Sequence, residues 1–270
     1  MSALATRLFR GRNPVDCLDP ADRGLAYGDG LFETMRVAAG QLPWWQAHLA
    51  RLDRGARVLG IPMPDGDWLH AQAQALLRDA PADAVLKLVL TRGAGGRGYA
   101  PPAAPVPGLI LSLHGLPPAP GPLRLRWCRT RLSLQPALAG IKHLNRLDQV
   151  LARGEWREPE IHEGLMLDAT GKLGCATAAN LFALIDGRWL TPSLANGGVA
   201  GLARAWVLAN QPGAAEASLG PESLASAEAL FLCNAVRGIL PVGQLEHMNW
   251  PPHPATESLR RALGRELSAD

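Results

Sequence analysis

The sequence predicts a mixed α/β (α+β) protein of two domains, and three observations carry that expectation. Stretches with helical spacing of apolar residues alternate with short apolar runs of strand character, the order that mixed architectures show. A proline- and glycine-rich run, Gly115-Leu-Pro-Pro-Ala-Pro-Gly-Pro122, interrupts the chain near its middle. The length of 270 residues is enough for two hydrophobic cores of modest size. The expected division is a smaller domain at 1–115, a linker at 116–122 and a larger domain at 123–270.

Taken in order, Tyr27-Gly28-Asp29-Gly30-Leu31-Phe32-Glu33-Thr34 reads as a tight turn entering a strand. Trp45, Leu49, Leu52, Ala56 and Leu59 recur at spacings of three and four, which predicts a helix over 44–59. A second helix is predicted over 66–78, then strands at 84–91 and 108–114. Beyond the linker, Leu123, Leu125 and Trp127 alternate with arginines as a half-buried strand. A helix over 144–156 follows, then strands at 164–168 and 181–186. A helix at 201–210, a strand at 229–234 and a C-terminal helix at 255–268 complete the reading.

Composition narrows the function. Apolar residues make up 47% of the chain, charged residues 19%, and the net charge is only +3 with the basic residues scattered. That excludes the clustered basic footprint of a nucleic-acid binder. No run of about 18 uncharged apolar residues is present, so no membrane-spanning helix is expected. Met1 to Asn13 lacks the apolar run of a secretory signal. Cys17, Cys128, Cys175 and Cys233 have neither CxxC nor Cys/His spacing. No metal site or disulfide framework is expected, and reduced thiols point to the cytoplasm.

Lysine is nearly absent: Lys87, Lys142 and Lys172 stand against a large majority of arginines among the 27 basic residues. Arginine stays protonated and cannot serve as an amine nucleophile, so a retained lysine is a candidate for amine chemistry. Codon bias explains the missing lysines but not the position of those that remain. Lys172 follows Asp168-Ala-Thr-Gly171 and reads as a solvated turn residue. Lys87 interrupts the run Val85-Leu-Lys-Leu-Val-Leu90 and reads as a strand residue with its head in water. Lys142, in Ala139-Gly-Ile-Lys-His-Leu-Asn-Arg146, lies between an irregular stretch and a helical pattern. It is the preferred reactive amine.

Other signals are weaker singly. Gly197-Gly-Val-Ala-Gly-Leu-Ala-Arg204 sets glycines ahead of a helix, where free N–H groups and the helix dipole suit a phosphate. Thr91-Arg-Gly-Ala-Gly-Gly-Arg-Gly-Tyr99 is a glycine-rich loop with two guanidinium groups and a phenol, suited to a carboxylate or to no ligand at all. Arg51 on the first helix reads as a surface arginine when taken alone.

Together these runs resemble the class IV fold of pyridoxal-phosphate enzymes, which contains branched-chain aminotransferases, D-amino acid aminotransferases and 4-amino-4-deoxychorismate lyase. The marks are Tyr27-Gly-Asp-Gly-x-Phe-Glu33, His48-x-x-Arg51-Leu52, Ala179-Asn-Leu-Phe182 and Gly198-x-x-Gly201-x-x-Arg204. They lie between about Arg23 and Val242. Within the family, Gly140-Ile-Lys-His-Leu-Asn-Arg-Leu-Asp-Gln-Val-Leu151 and Arg92-Gly-Ala-Gly-Gly-Arg-Gly-Tyr99 are similar to the aminodeoxychorismate lyase branch.

The resemblance implies a two-domain fold like that of D-amino acid aminotransferase, and a homodimer with pyridoxal 5'-phosphate as cofactor. It implies that Lys142 forms the Schiff base and serves as general base and then acid. Arg51, with the backbone around Val199-Ala200 and Asn234-Ala235, would hold the cofactor phosphate. Arg97 and Tyr99 would grip the substrate carboxylate, and Asn145 and Asn180 would position backbone and cofactor. Glu33 and Thr34 would orient substrate or protonate the leaving group. The activity implied is a lyase taking aminodeoxychorismate to 4-aminobenzoate and pyruvate, in folate biosynthesis. A D-amino or branched-chain aminotransferase and a non-catalytic cofactor-binding relative remain the alternatives.

One position departs from the family pattern. A glutamate usually hydrogen-bonds the pyridine nitrogen five residues before the asparagine of Ala-Asn-Leu-Phe, and here that residue is Cys175. A thiol leaves the nitrogen largely unprotonated and the cofactor a weaker electron sink. Elimination that ends in an aromatic ring tolerates this better than transamination does, so little transaminase side activity is expected.

Overall fold

In the computed structural model, which describes residues 3–118 and 121–268, the first unit is built on a five-stranded antiparallel sheet. It takes in the residues up to Leu116, with Ile141–Asn145 and the residues from Leu267. Its elements are β1 (Ala5–Arg10), β2 (Asn13–Val15), α1 (Arg23–Tyr27), β3 (Gly30–Val37), α2 (Trp45–Leu59), α3 (Gly66–Leu77), β4 (Ala84–Thr91) and β5 (Gly108–Gly115). The strand order is β2-β1-β5-β4-β3.

Alternation fixes which face of this sheet is covered. In β3, Leu31, Glu33, Met35 and Val37 are buried while Phe32, Thr34 and Arg36 are only half-buried. Leu86, Leu88 and Leu90 of β4 and Leu109 and Leu111 of β5 are fully buried and join Leu52, Ala56, Leu69 and Ala73 of α2 and α3 in one core. Each such leucine contributes about 1.5–3 kcal/mol. The Asp65 side chain caps α3 by accepting from Trp68 N at 2.8 Å, and α2 ends at Gly60 in the left-handed region at φ 65°. The opposite face carries the row Thr34–Lys87–Ser112, each residue in register with the next.

Residues 141–145 pair with β3. Phe32 N donates to Lys142 O at 3.0 Å and Leu144 N to Gly30 O at 2.9 Å, with an antiparallel bridge between Leu31 and His143. Lys142 is expected from the sequence in the 123–270 domain, but these bonds group it with the first unit. They also explain why the helix expected from 144 begins only at Leu147.

The second unit comprises 117–140 and 146–266. It contains β6 (Leu123–Trp127), α4 (Leu147–Arg153), β7 (Glu163–Leu167), β8 (Leu173–Ala176), β9 (Asn180–Ile185), β10 (Arg188–Pro192), α5 (Leu202–Asn210), β11 (Ala215–Ala217), β12 (Ala229–Asn234), β13 (Gly238–Leu245), β14 (Met248–Asn249) and α6 (Pro254–Glu266). The sheet order is β11-β10-β9-β12-β13-β6-β7-β8, with β14 paired to β13. Leu125, Leu165, Leu181, Leu232 and Val242 anchor its main core. A smaller cluster holds Cys128, Leu132, Ala152, Trp156, Met166 and Cys175.

Candidate active site

Lys142 is placed by backbone, not by a helix or strand of its own. The two bonds to β3 fix its Cα, and its Nζ lies 4.0 Å from the centroid of the Phe32 ring, a cation–π distance. Lys87 Nζ lies 5.6 Å from the same centroid. Two of the chain's three lysines therefore share one aromatic ring. Thr34 is the cross-strand neighbour of Lys87. The sequence reads Lys87 as a solvated strand residue; the signal in it is a lone cation between the leucines of a strand, Leu86 and Leu88, which are buried. Lys172 is exposed, in a turn where Asp168 Oδ1 accepts from Thr170 N and Lys172 N.

Glu33 and Thr34, expected to work together, point to opposite faces of β3. Glu33 is fully buried. Its Oε1 accepts from Arg51 Nε at 2.8 Å, and its Oε2 lies 2.5 Å from Arg51 Nη2 and 2.6 Å from His48 Nδ1. Burial alone would raise this carboxyl, but the hydrogen bonds and charges of Arg51 and His48 hold it down to about 2. A carboxylate so fixed is ionised near neutral pH and is held for positioning by Arg51 and His48. Arg51 is likewise no surface arginine: it is 6% exposed and held in one orientation by two bonds. Burial pushes the His48 imidazole below its ordinary value, with the Arg51 and Lys142 charges adding to that and Glu33 opposing it.

Asn145 donates from Nδ2 to Gly28 O at 3.3 Å. Gly28 has φ 66°, and a Cβ there would fall 2.5 Å from Asn145 Oδ1. Arg97 and Tyr99 lie on the glycine-rich loop between β4 and β5. Both are exposed, Tyr99 by 84%, and Arg97 makes no hydrogen bond or ion pair with any described residue.

In the second unit, Asn180 Nδ2 donates to Val199 O at 3.0 Å. A Cβ at Gly201 would fall 2.1 Å from Asn180 Oδ1, so only glycine fits there. Gly201 starts α5 with no side-chain cap, and Gly198 has φ 83°. An uncapped start of a nine-residue helix fits an anion such as phosphate. Of the two residues expected to face it, Ala200 spends its N–H on Gly140 O at 3.0 Å. Asn234 Oδ1 accepts from Val236 N and Arg237 N, closing the turn that contains the buried Ala235, and its Nδ2 reaches Ala178 O at 3.3 Å.

Cys175 is buried in β8, and burial pushes its thiol up to about 12; Glu163 adds to this and Arg146 opposes it. The thiol is neutral at physiological pH. Glu163, the nearby acid, is occupied: it accepts from the Thr177 hydroxyl and from Gly164 N.

A five-stranded unit carrying a backbone-fixed lysine, and a larger unit with a glycine-led helix start, are features shared with known proteins. The chain belongs to the class IV amino-transferase family, which matches residues 30–245. It is 36% identical over 234 residues to the aminodeoxychorismate lyase of Vibrio harveyi, covering 82% of this chain and 84% of that protein. It is similar to the crystal structure of 4-amino-4-deoxychorismate lyase from Pseudomonas aeruginosa, with a TM-score of 0.89 and 43% identity over 97% of this chain and 100% of that one. In fold alone, at 16% identity and a TM-score of 0.82, it matches the PLP-bound form of a hypothetical aminotransferase from Mycobacterium tuberculosis, over 97% of this chain and 98% of that one.

Proposed function

We propose that the protein is a pyridoxal-phosphate-dependent lyase that converts 4-amino-4-deoxychorismate to 4-aminobenzoate and pyruvate, a reaction of folate biosynthesis. The observation that carries this reading is the Lys142 amine held on the Phe32 ring by the pairing of 141–145 with β3. Resemblance over nearly the whole chain to lyases of that name supports it.

Lys142 would hold the cofactor through its ε-amine, and Arg51, in the same unit, would offer its phosphate a guanidinium. When bound, pyridoxal phosphate supplies an electron sink for negative charge at the carbon next to the attached amine. Lys142 Nζ would take a proton from the substrate's amine-bearing carbon and return one to the departing enolpyruvate. Thr34 and Lys87, on the same sheet face as Phe32, face the substrate: the hydroxyl orients it and the ammonium offsets a carboxylate. Arg97 and Tyr99 meet a carboxylate from the loop. Asn145 and Asn180 act on backbone, holding Gly28 and the Val199 turn, and Glu33 acts only through Arg51.

A neutral thiol such as Cys175, set at the cofactor's ring nitrogen, would not keep it protonated. Formation of an aromatic product supplies the driving force that a weak sink lacks, which favours the lyase over an aminotransferase. A homodimer fits the exposed apolar stripe of α4, where Leu147, Val150 and Leu151 are 74%, 61% and 63% exposed. Four free cysteines fit a reducing, cytoplasmic setting. Turnover of 4-amino-4-deoxychorismate by the purified holoprotein tests the proposal.

A further inference from the structure

Arg23 lies in α1 with its side chain 5% exposed, and no step above uses it. Its guanidinium donates to three successive carbonyls of the glycine-rich loop: Gly98 O at 3.1 Å, Tyr99 O at 2.8 Å and Ala100 O at 3.3 Å. Its Nε binds Asp29 Oδ2 at 2.8 Å, and the same oxygen accepts from Arg92 Nε, at the other end of the loop, at 2.7 Å. Arg92 also donates to Leu59 O and Gly60 O at the end of α2. Two arginines and one carboxylate thus tie both ends of the 92–100 loop to the frame of the first unit.

The loop is also held at 93–95 by backbone bonds, Arg23 N to Gly93 O at 2.9 Å and Gly95 N to Ala21 O at 3.2 Å, but has little besides the Arg23 side chain to order 96–99. It contains Gly93, Gly95, Gly96 and Gly98, and glycine loses more conformational freedom on ordering than any other residue. Residues 95–99 form no helix or strand. The Tyr99 ring rests on Tyr27 at 5.4 Å between centroids, and Arg23 lies over Tyr27 at 4.9 Å. These are the only two tyrosines in the chain. Arg23 and Arg92 are spent on this scaffold, whereas Arg97 is left unpaired among the described residues.

We propose that Arg23 is a latch that sets the 92–100 loop in the shape in which Arg97 and Tyr99 meet a substrate carboxylate. It is a positioning residue, and the inference rests on the carboxylate-gripping role proposed for that loop. The planar fork of a guanidinium can serve three carbonyls and a carboxylate at once; a lysine ammonium is a compact point charge that cannot.

The test compares holoenzymes of the wild type, Arg23→Lys and Gly95→Ala. Lysine keeps the charge beside Asp29 but loses the fork. Alanine at 95 puts a Cβ 2.7 Å from Arg23 Cδ and displaces the same side chain by another route. Incorporation of 3-fluorotyrosine gives two fluorine resonances, one from each ring, that report the Tyr27–Tyr99 contact. Both variants should keep the cofactor absorbance and change the Tyr99 resonance. Tryptic cleavage after Arg97 should be at least roughly 10-fold faster. KM for 4-amino-4-deoxychorismate should rise roughly 10-fold with kcat within about twofold, as expected when only about a tenth of the loops are competent to bind.

Unchanged cleavage and unchanged fluorine resonances in both variants would overturn the latch. A loosened loop with KM unchanged would overturn its role in binding. A wild type that makes no 4-aminobenzoate would sink the lyase reading instead. The latch would then be judged by cleavage, fluorine resonances and calorimetric affinity for 4-aminobenzoate, with no Arg23-dependent change counting against it.

Discussion

Glu33 and Arg51 meet through two parallel hydrogen bonds, with the carboxylate 0% and the guanidinium 6% exposed. Removing one partner of a buried pair leaves the other uncompensated, which costs about 3–5 kcal/mol. Glu33→Gln should therefore lower folding stability by about that amount in urea unfolding of the cofactor-free protein. It should also raise the cofactor concentration needed for saturation, while turnover per bound cofactor stays near wild type. A large loss of kcat at saturating cofactor would return Glu33 to the chemistry.

The same cluster sets the acid limit of the fold. Glu33 has its folded pKa depressed from 4.5 to about 2, so its contribution is complete above about 4.5 and is lost as pH falls towards 2. His48 is depressed below 6.5, so protonation favours the unfolded chain and stability already declines as pH falls below about 6.5. Stability against pH should show both limbs in the wild type. His48→Gln should lose the upper limb and Glu33→Gln the lower; a single unchanged limb in both variants would refute the assignment.

Lys87 and Lys142 share the Phe32 ring, and Lys87 has no reactive role in the scheme. Lys87→Gln should raise KM for 4-amino-4-deoxychorismate by roughly 10- to 100-fold, the range for a lost hydrogen bond to a charged group. Lys87→Arg should recover much of the loss, and the cofactor absorbance should not change. An unaltered KM in Lys87→Gln would remove Lys87 from the substrate site.

The proposal sets the neutral Cys175 thiol at the cofactor's ring nitrogen. Cys175→Glu adds a carboxylate at a position where the Arg146 charge favours an anion. The ratio of transaminase to lyase turnover should rise, measured as keto-acid-dependent amine transfer against 4-aminobenzoate release. An unchanged ratio would show that this position does not select the reaction.

The α4 stripe makes a separate prediction. Leu151→Arg places a charge in the exposed apolar row of Leu147, Val150 and Leu151. Light scattering should report a dimer for the wild type and a shift towards monomer for the variant. A monomeric wild type would remove the homodimer from the account.

What the sequence made legible follows from periodicity and from unusual residues. The leucine runs of β4 and β5 and the spacing of Trp45 to Leu59 announced their elements because burial on one face imposes a repeat. The Lys142 segment stood out because lysine is scarce. By contrast, α1 is five residues long, and β13 carries Gly238, Pro241 and Gly243, which mask a strand. The split of Glu33 and Thr34 to opposite faces was implicit in the two-residue repeat of a strand. The partners that made Glu33 a support for Arg51 lie 15 and 18 residues away, and only tertiary structure brings them together. The Lys87–Phe32–Lys142 arrangement is hidden for the same reason.

Lys142 is proposed to serve as the reactive amine of a lyase. The direct measurement gives the holoprotein 4-amino-4-deoxychorismate and quantifies 4-aminobenzoate and pyruvate, beside Lys142→Ala and a no-enzyme control. If Lys142 has that role, the wild type gives equal amounts of the two products, with neither product above the control and no covalently held cofactor band in Lys142→Ala. Absence of product from a wild type that has its cofactor bound, or product formation by Lys142→Ala at the wild-type rate, would contradict it.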